Sequence, residues 1–213
     1  MSGSLILDVS NNNPITEQQL RRSGAVALIA KATEGVDFDD STYEHHKQIA
    51  LACKIPFGAY YFLHPLSKGN EAAHFLEFAK LMKGHDMDPI VDCEVTDGAS
   101  MSVVAQRCRE TCSALQAGGW NPIIYSSKSF LMELYSYEPI LKNYRAWEAQ
   151  YPTRFGRLLM SWLPGYTALR SKLNNGVSVV MWQWTSSDKV AGGSWDASIP
   201  LVKVASLISK PAV

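Results

Sequence analysis

The sequence predicts an α/β fold in which a mainly parallel sheet, with helices outside it, closes into an irregular barrel. Three observations predict it. Short β-branched and aromatic runs alternate with segments of helical period along most of the chain. Residues of chemical interest (Asp8, Lys31, Tyr61, Asp92 with Glu94, Tyr125, Trp147 and Gln183) fall near the ends of those runs. Successive members mostly lie roughly 20 to 35 residues apart, the length of a strand and its crossover. Closure would bring all of these strand ends to one mouth, and the short helices and bare connections late in the chain make the barrel irregular.

Ser4 to Ser10 reads as the first strand, which places Asp8 at its carboxyl end before the polar cluster Asn11-Asn12-Asn13-Pro14. A short helix starts at Thr16 and closes near Gly24. Ala25 to Lys31 is the second strand, followed by a polar loop through Thr33-Glu34-Gly35 and Asp37 to Asp40. Tyr43 to Lys54 has helical character, and Phe57 to Leu63 is a strand that stops at His64-Pro65. From about Asn70 to Lys83, Ala72, Phe75, Leu76, Ala79 and Met82 recur on one helical face. After the strand Pro89 to Val95 come a helix from Ser102 to Gly118, a brief strand Pro122 to Tyr125 and a helix from Lys128 to Tyr135. Arg145 to Gln150 and Arg157 to Met160 read as strands, and Val177 to Trp184 is the last, preceded by the turn Asn174-Asn175-Gly176.

At 213 residues, with 46% hydrophobic content and no linker, repeat or low-complexity tract, residues 1–213 are expected to form one domain. Twenty basic residues balance 20 acidic ones, so no net field draws the chain to nucleic acid or an anionic membrane. Leu5-Ile6-Leu7 is too short for the apolar core of a signal peptide, and no run reaches the length of a membrane span. Export by a standard signal is not expected. Cys53, Cys93, Cys108 and Cys112 lack CxxC spacing and read as free thiols. None of the five histidines has a recognised metal-ligand spacing, and no GxSxG, GxGxxG or P-loop occurs, so neither metal nor cofactor is expected.

The run Pro89-Ile90-Val91-Asp92-Cys93-Glu94-Val95 carries the chemistry. A buried strand has no use for two acids at its end. Alternation points Asp92 and Glu94 the same way and Cys93 oppositely. Two neighbouring carboxylates push at least one pKa upward, which sets a proton donor beside a charged partner, the equipment for cleaving a glycosidic bond. The plain alternative is a solvated loop start or a helix cap. Tyr61, Tyr125, Trp147, Trp182 and Trp184 could offer flat faces to a sugar, although strand aromatics are more often core. Trp182 and Trp184 share one face and Gln183 takes the other, and alternation alone does not say which points inward. Glu148, opposite in parity to Trp147, is expected at the surface or in a salt bridge. Lys31 either orients an acid or makes a structural ion pair.

Asp8-Val9-Ser10, Lys31-Ala32-Thr33-Glu34-Gly35, Gly58-Ala59-Tyr60-Tyr61-Phe62, Asp92-Cys93-Glu94, Trp147-Glu148-Ala149-Gln150-Tyr151, Trp182-Gln183-Trp184-Thr185-Ser186 and Trp195-Asp196 together resemble glycoside hydrolase family 25, the Chalaropsis-type lysozymes. The resemblance spans nearly the whole chain. It implies a flattened, irregular, TIM-like β/α barrel that hydrolyses the β-1,4 bond between N-acetylmuramic acid and N-acetylglucosamine in peptidoglycan. By the same resemblance Glu94 is the general acid, Asp92 its partner carboxylate, and Asp8 and Asp196 the two further acids of the site. Tyr61, Tyr125, Trp147, Gln183 and Lys31 are the expected substrate-binding residues. The family commonly has Asn two positions after its last Asp, where this chain has Ser198.

An apolar lining would keep Glu94 protonated, while hydrogen bonds would keep Asp92 ionised to stabilise positive charge at the anomeric carbon. Inverting, retaining and substrate-assisted routes all fit the spacing. Two other readings compete: an inactive peptidoglycan-binding protein, and a chitinase-like glycosidase, whose acidic run would extend upstream where Pro89-Ile90-Val91 is apolar here. The expected partner is the peptidoglycan glycan strand, for a monomer without a wall-binding domain. The expected location is the host cytoplasm until lysis, as for a phage endolysin, with a virion-associated lysin as the alternative.

Overall fold

The computed structural model describes residues 5–80, 87–151, 176–188 and 193–208. Strands β1 (Leu5–Val9), β2 (Ala25–Glu34), β4 (Phe57–Phe62), β5 (Ile90–Asp92), β6 (Ile123–Ser127), β7 (Arg145–Ala149) and β8 (Val179–Asp188) are joined in parallel. Helices α1 (Glu17–Ser23), α2 (Tyr43–Cys53), α3 (Glu71–Lys80), α4 (Met101–Ala117) and α5 (Lys128–Tyr137) lie between them in sequence. Strand β9 (Trp195–Pro200) runs antiparallel between β8 and β1. Pairing of β1 with β2 closes the ring, and the short β3 (Phe38–Asp39) hangs antiparallel on the end of β2.

Three features differ from the sequence reading. The seam strand β9 was not expected, because Trp195 to Pro200 mixes polar and apolar residues without a clean run. The polar loop after β2 contains β3, a two-residue ladder rung too short to leave a sequence pattern. The strand expected to carry both acids ends at Asp92, so Glu94 stands on the loop after it. The strand expected at Arg157 to Met160, the turn residues Asn174 and Asn175, and residues 81–83 of the third helix lie outside the described residues.

Strand alternation divides the core in two. Ile6, Ala27, Ile29, Ile90, Ile123 and Met181 fill the barrel, while Leu7, Leu28, Ala59, Val91 and Ile124 face outward onto Leu20, Ile49, Phe75, Val104, Leu115 and Leu131 of the helices. Each of the buried Ile, Leu, Val, Met and Phe side chains among them contributes about 1.5–3 kcal/mol by leaving water. The interior is tight: a Cβ on Gly58 would meet Met87 at 3.1 Å and Ile29 at 3.3 Å. Helix starts are fixed locally. Thr16 and Gln19 form a capping box on α1, and Ser100 and Ser127 cap α4 and α5 by accepting from Val103 N–H and Phe130 N–H. Gly24 ends α1 at φ 68°, the left-handed conformation that favours glycine.

The four cysteines are free thiols, and Cys93, Cys108 and Cys112 are buried in the outer core layer. Of the two places expected for Glu148, the surface or a salt bridge, the first does not hold: it is buried, because outward from β7 means under the helices and not into water.

Candidate active site

The open end of the barrel holds a cavity of about 200 Å³ whose lining includes Asp8, Lys31, Tyr60, Asp92, Glu94, Tyr125, Trp147 and Asp196. All four expected acids therefore meet. Asp8 and Asp196 are directly opposed across the antiparallel β1/β9 rung. Asp92 ends β5, level with Phe62 on one side and Tyr125 on the other. Its backbone carbonyl accepts the Leu63 N–H at 2.9 Å. One residue later, Cys93 donates its N–H to Tyr125 O at 3.0 Å and its carbonyl accepts Ser126 Oγ–H at 2.6 Å. Those bonds anchor the root of the loop that carries Glu94.

The acids differ in environment. Burial holds the pKa of Asp92 well above its ordinary value, and the charges of Glu94 and Asp8 push it further, with Lys31 opposing. Among the described residues nothing donates to Asp92 Oδ1, which is buried. Among the described residues no hydrogen bond to Oδ1 supports the ionised form that the sequence reading expected, and burial shifts the balance toward the protonated form. Glu94 is exposed at the rim, yet partial desolvation and Asp196 raise its pKa too, again opposed by Lys31. Asp8 is raised well above the ordinary range by burial and by Asp196, with which it shares a hydrogen bond. Crowding of like charge in a poorly hydrated hollow thus keeps protons bound that free carboxyls would lose.

Lys31 is buried at the cavity wall, ion-paired to Glu34, with its ammonium 5.1 Å from the ring centre of Phe62 and 5.4 Å from that of Phe38. It makes the structural ion pair, and its charge also opposes the raised pKa values of Asp92 and Glu94. Trp147 and Tyr125 pack with centroids 4.6 Å apart, and Trp147 Nε1–H donates to Ser198 Oγ at 2.9 Å.

Two expected substrate-binding residues are corrected. Tyr61 is fully buried against Phe75 on the outer face of β4, and Tyr60 lines the cavity instead. Every residue of β4 is apolar or aromatic, so composition does not reveal parity; Gly58 does, because it marks the crowded interior and shares its face with Tyr60 and Phe62. Gln183 faces inward but is only 1% exposed, beneath the cavity and not on it. Its Oε1 accepts from Tyr125 Oη–H and, at 3.3 Å, from Tyr151 Oη–H, while its Nε2–H reaches Asp8 Oδ2 at 3.5 Å. It buttresses Asp8 and Tyr125. Trp182 and Trp184 take the opposite face, away from the cavity; Trp182 is buried with Nε1–H donating to Gln150 O at 2.9 Å. Ser10, Asn12, Tyr60 and Phe62 line the site without having been singled out. For Ser10 and Asn12 the only signal was their place directly after a strand that ends in an acid.

A closed β/α barrel that gathers four carboxyl groups, a lysine and aromatic rings at one mouth has the architecture of a carboxylate-dependent glycosidase. Residues 7–193 match glycosyl hydrolases family 25, and the chain belongs to that family. It is 25% identical over 192 residues to an autolytic lysozyme of Clostridium acetobutylicum, an alignment covering 89% of this chain and 52% of that protein. The chain thus spans about half the length of that relative. It is 27% identical over 158 residues to the lysozyme of Lactococcus phage mv1, covering 69% of this chain and 78% of the phage protein. Its fold is that of the bacterial lysozyme from Streptomyces coelicolor, with TM-score 0.73 at 18% identity over 97% of this chain and 96% of the other. The catalytic domain of endolysin ply40 from bacteriophage P40 of Listeria monocytogenes is similar at TM-score 0.68 and 17% identity, covering 93% of each chain.

Proposed function

We propose that this chain is a muramidase that hydrolyses the β-1,4 bond between N-acetylmuramic acid and N-acetylglucosamine in peptidoglycan. The observation that carries the reading is the convergence of Asp8, Asp92, Glu94 and Asp196 on one sugar-sized hollow. Glu94, at the rim with a raised pKa, is the proton donor to the leaving sugar oxygen. Among the described residues nothing donates to the buried Asp92 Oδ1, and the N–H of the substrate's 2-acetamido group is a fitting donor. This favours the substrate-assisted route: the acetamido oxygen attacks the anomeric carbon as Glu94 protonates the departing oxygen, with Asp92 holding the N–H. The Glu94 carboxylate then takes a proton from the water that opens the cyclic intermediate, and the β configuration is retained. Asp8 and Asp196, bound to each other, supply negative potential beneath the reacting carbon. Tyr60, Tyr125 and Trp147 present ring faces and polar tips to the sugar.

Residues 1–213 act in this reading as one catalytic domain, monomeric, with the glycan strand as partner and without bound cofactor. Similarity to a phage lysozyme and a phage endolysin domain supports a lysis enzyme kept in the host cytoplasm until the membrane opens. Among the described residues no helix is long and apolar enough to cross a membrane. The test is Glu94→Gln, which should fold normally and lose about 10²–10⁴-fold of wall-hydrolysing activity, the range general acid catalysis supplies. Mass analysis of muropeptides released by the wild type should find N-acetylmuramic acid at the new reducing end; N-acetylglucosamine there would refute the bond assignment.

A further inference from the structure

Both ring nitrogens of His64 face carboxylates: Nδ1 lies 2.7 Å from Asp97 Oδ2 and Nε2 lies 2.9 Å from Glu34 Oε1. A neutral imidazole has one N–H, so in that form one contact would set a lone pair against a carboxylate. Only the imidazolium donates to both. The two carboxylates belong to separate parts of the site. Glu34 ends β2, and its other oxygen holds the Lys31 ammonium at the cavity wall. Asp97 sits on the loop leaving β5, the loop that carries Glu94, in left-handed backbone at φ 49°. One ring therefore ties the Glu94 loop to the arm that aims Lys31.

We propose that protonated His64 is a positioning residue, a clamp that holds the Glu94 loop and Lys31 in register and lets go on losing its proton, thereby contributing to the alkaline limit of activity. The proposal rests on the muramidase reading and adds a control element to it.

The charged surroundings favour the clamp. Glu34 faces the ring from β2 and Asp97 from the β5–α4 loop, and Glu71 of α3 accepts the His64 backbone N–H on Oε2 at 3.1 Å. Lys31 is the opposing cation and is itself neutralised by Glu34. Phe62 packs beside the ring at 5.2 Å between centroids. Partial burial alone would lower the pKa of His64, but the hydrogen bonds to Glu34 and Asp97 outweigh it and raise the pKa from its ordinary 6.5. Because the folded value is the higher one, the clamp is complete below pH 6.5 and is lost as pH rises through the folded value. Its loss frees Glu34 and changes the field of Lys31, which lowers the pKa of both Asp92 and Glu94.

The test combines an NMR titration of the His64 ring with pH profiles of kcat/KM for muropeptide release by wild type, His64→Gln and His64→Arg. The expected wild-type ring titrates above 6.5, and the alkaline limb falls with the loss of two protons, from Glu94 and His64. His64→Arg keeps a permanent cation and should show a one-proton limb with activity sustained to higher pH. His64→Gln should also show a one-proton limb, with kcat/KM lower by about 10-fold, the scale of a sub-ångström misplacement of reacting groups. Asp97→Asn should move the His64 titration downward. A ring that titrates at or below 6.5, or a wild-type limb retained in both His64 variants, would overturn the clamp. Absence of any wall hydrolysis by the wild type across the pH range would instead overturn the muramidase reading, and the NMR titrations would still decide whether the ring is charged.

Discussion

At the scale of the residue, neighbours in sequence have opposite duties. Tyr60 and Tyr61 are adjacent and chemically identical, yet one lines the acid cavity and the other is locked under α3 beside Phe75. Their substitutions should separate cleanly. Tyr60→Ala is expected to leave the melting temperature nearly unchanged and reduce kcat/KM, whereas Tyr61→Ala should cost about 3–5 kcal/mol of stability, as loss of a buried aromatic does. Thermal melts and wall-turbidity assays on the two variants check the pair; a large activity loss in a stable Tyr61→Ala protein would reverse the assignment of faces. Ser198 makes a similar case. It is fully buried and accepts the Trp147 indole N–H, so Ser198→Val leaves that donor unpaired and should destabilise by about 1–3 kcal/mol in denaturant titrations.

At the scale of the element, legibility followed the strength of the local pattern. The strands that begin β/α units were readable because each is a short β-branched or aromatic run followed by a helical period, and the acids at their ends stood out as residues a core would reject. Asp8, Asp92 and Glu94 were found that way. Strand β9 left no such mark: it has no helix after it, it exposes part of its length, and it is held by β1 and β8, residues distant in sequence. Asp196 was therefore reached through family resemblance and not through pattern. The burial of Tyr61 and of Glu148 has one cause. In a barrel wrapped by helices both faces of a strand are buried, so the polar and apolar alternation that reveals inside and outside in a half-exposed sheet is erased. Gln183 departs from its expected place for a related reason, since a polar residue facing inward can serve the floor of a site without lining it. One element-scale prediction is independent of chemistry. Thr16→Ala removes the capping box of α1 and should lower stability by about 0.5–2 kcal/mol without altering kcat/KM, as measured by thermal melts and wall hydrolysis.

At the scale of the whole molecule, the site opposes the fold that builds it. Asp8 and Asp92 are buried acids with pKa values raised well above the ordinary 3.8, each through burial first and like charge second. A carboxyl that binds its proton more tightly when folded contributes stability below its unfolded pKa, and that contribution is lost as pH rises through the folded value. The protein is thus expected to lose stability on approaching neutral pH at the expense of its acid cluster. Asp8→Asn should abolish most activity while melting a few degrees higher at pH 7, about 2–4 °C for each kcal/mol in a chain of this size. The gain should shrink as the pH is lowered toward 3.8, where the native carboxyl is itself neutral. Calorimetry at both pH values checks the sign, and an Asp8→Asn protein less stable than wild type at pH 7 would contradict it.

The acids are mounted in two different ways. Asp8 and Asp196 face each other across one rung of the β1/β9 seam, so their Cα spacing is set by main-chain pairing. Glu94 hangs from a loop rooted at Cys93 and held outside by a histidine ring. In the proposed mechanism the reacting carbon would meet a bed set by sheet pairing, while the proton donor is carried by a loop. Adaptation to glycans bearing different substituents would then be sought in residues 93–100, with the seam left untouched.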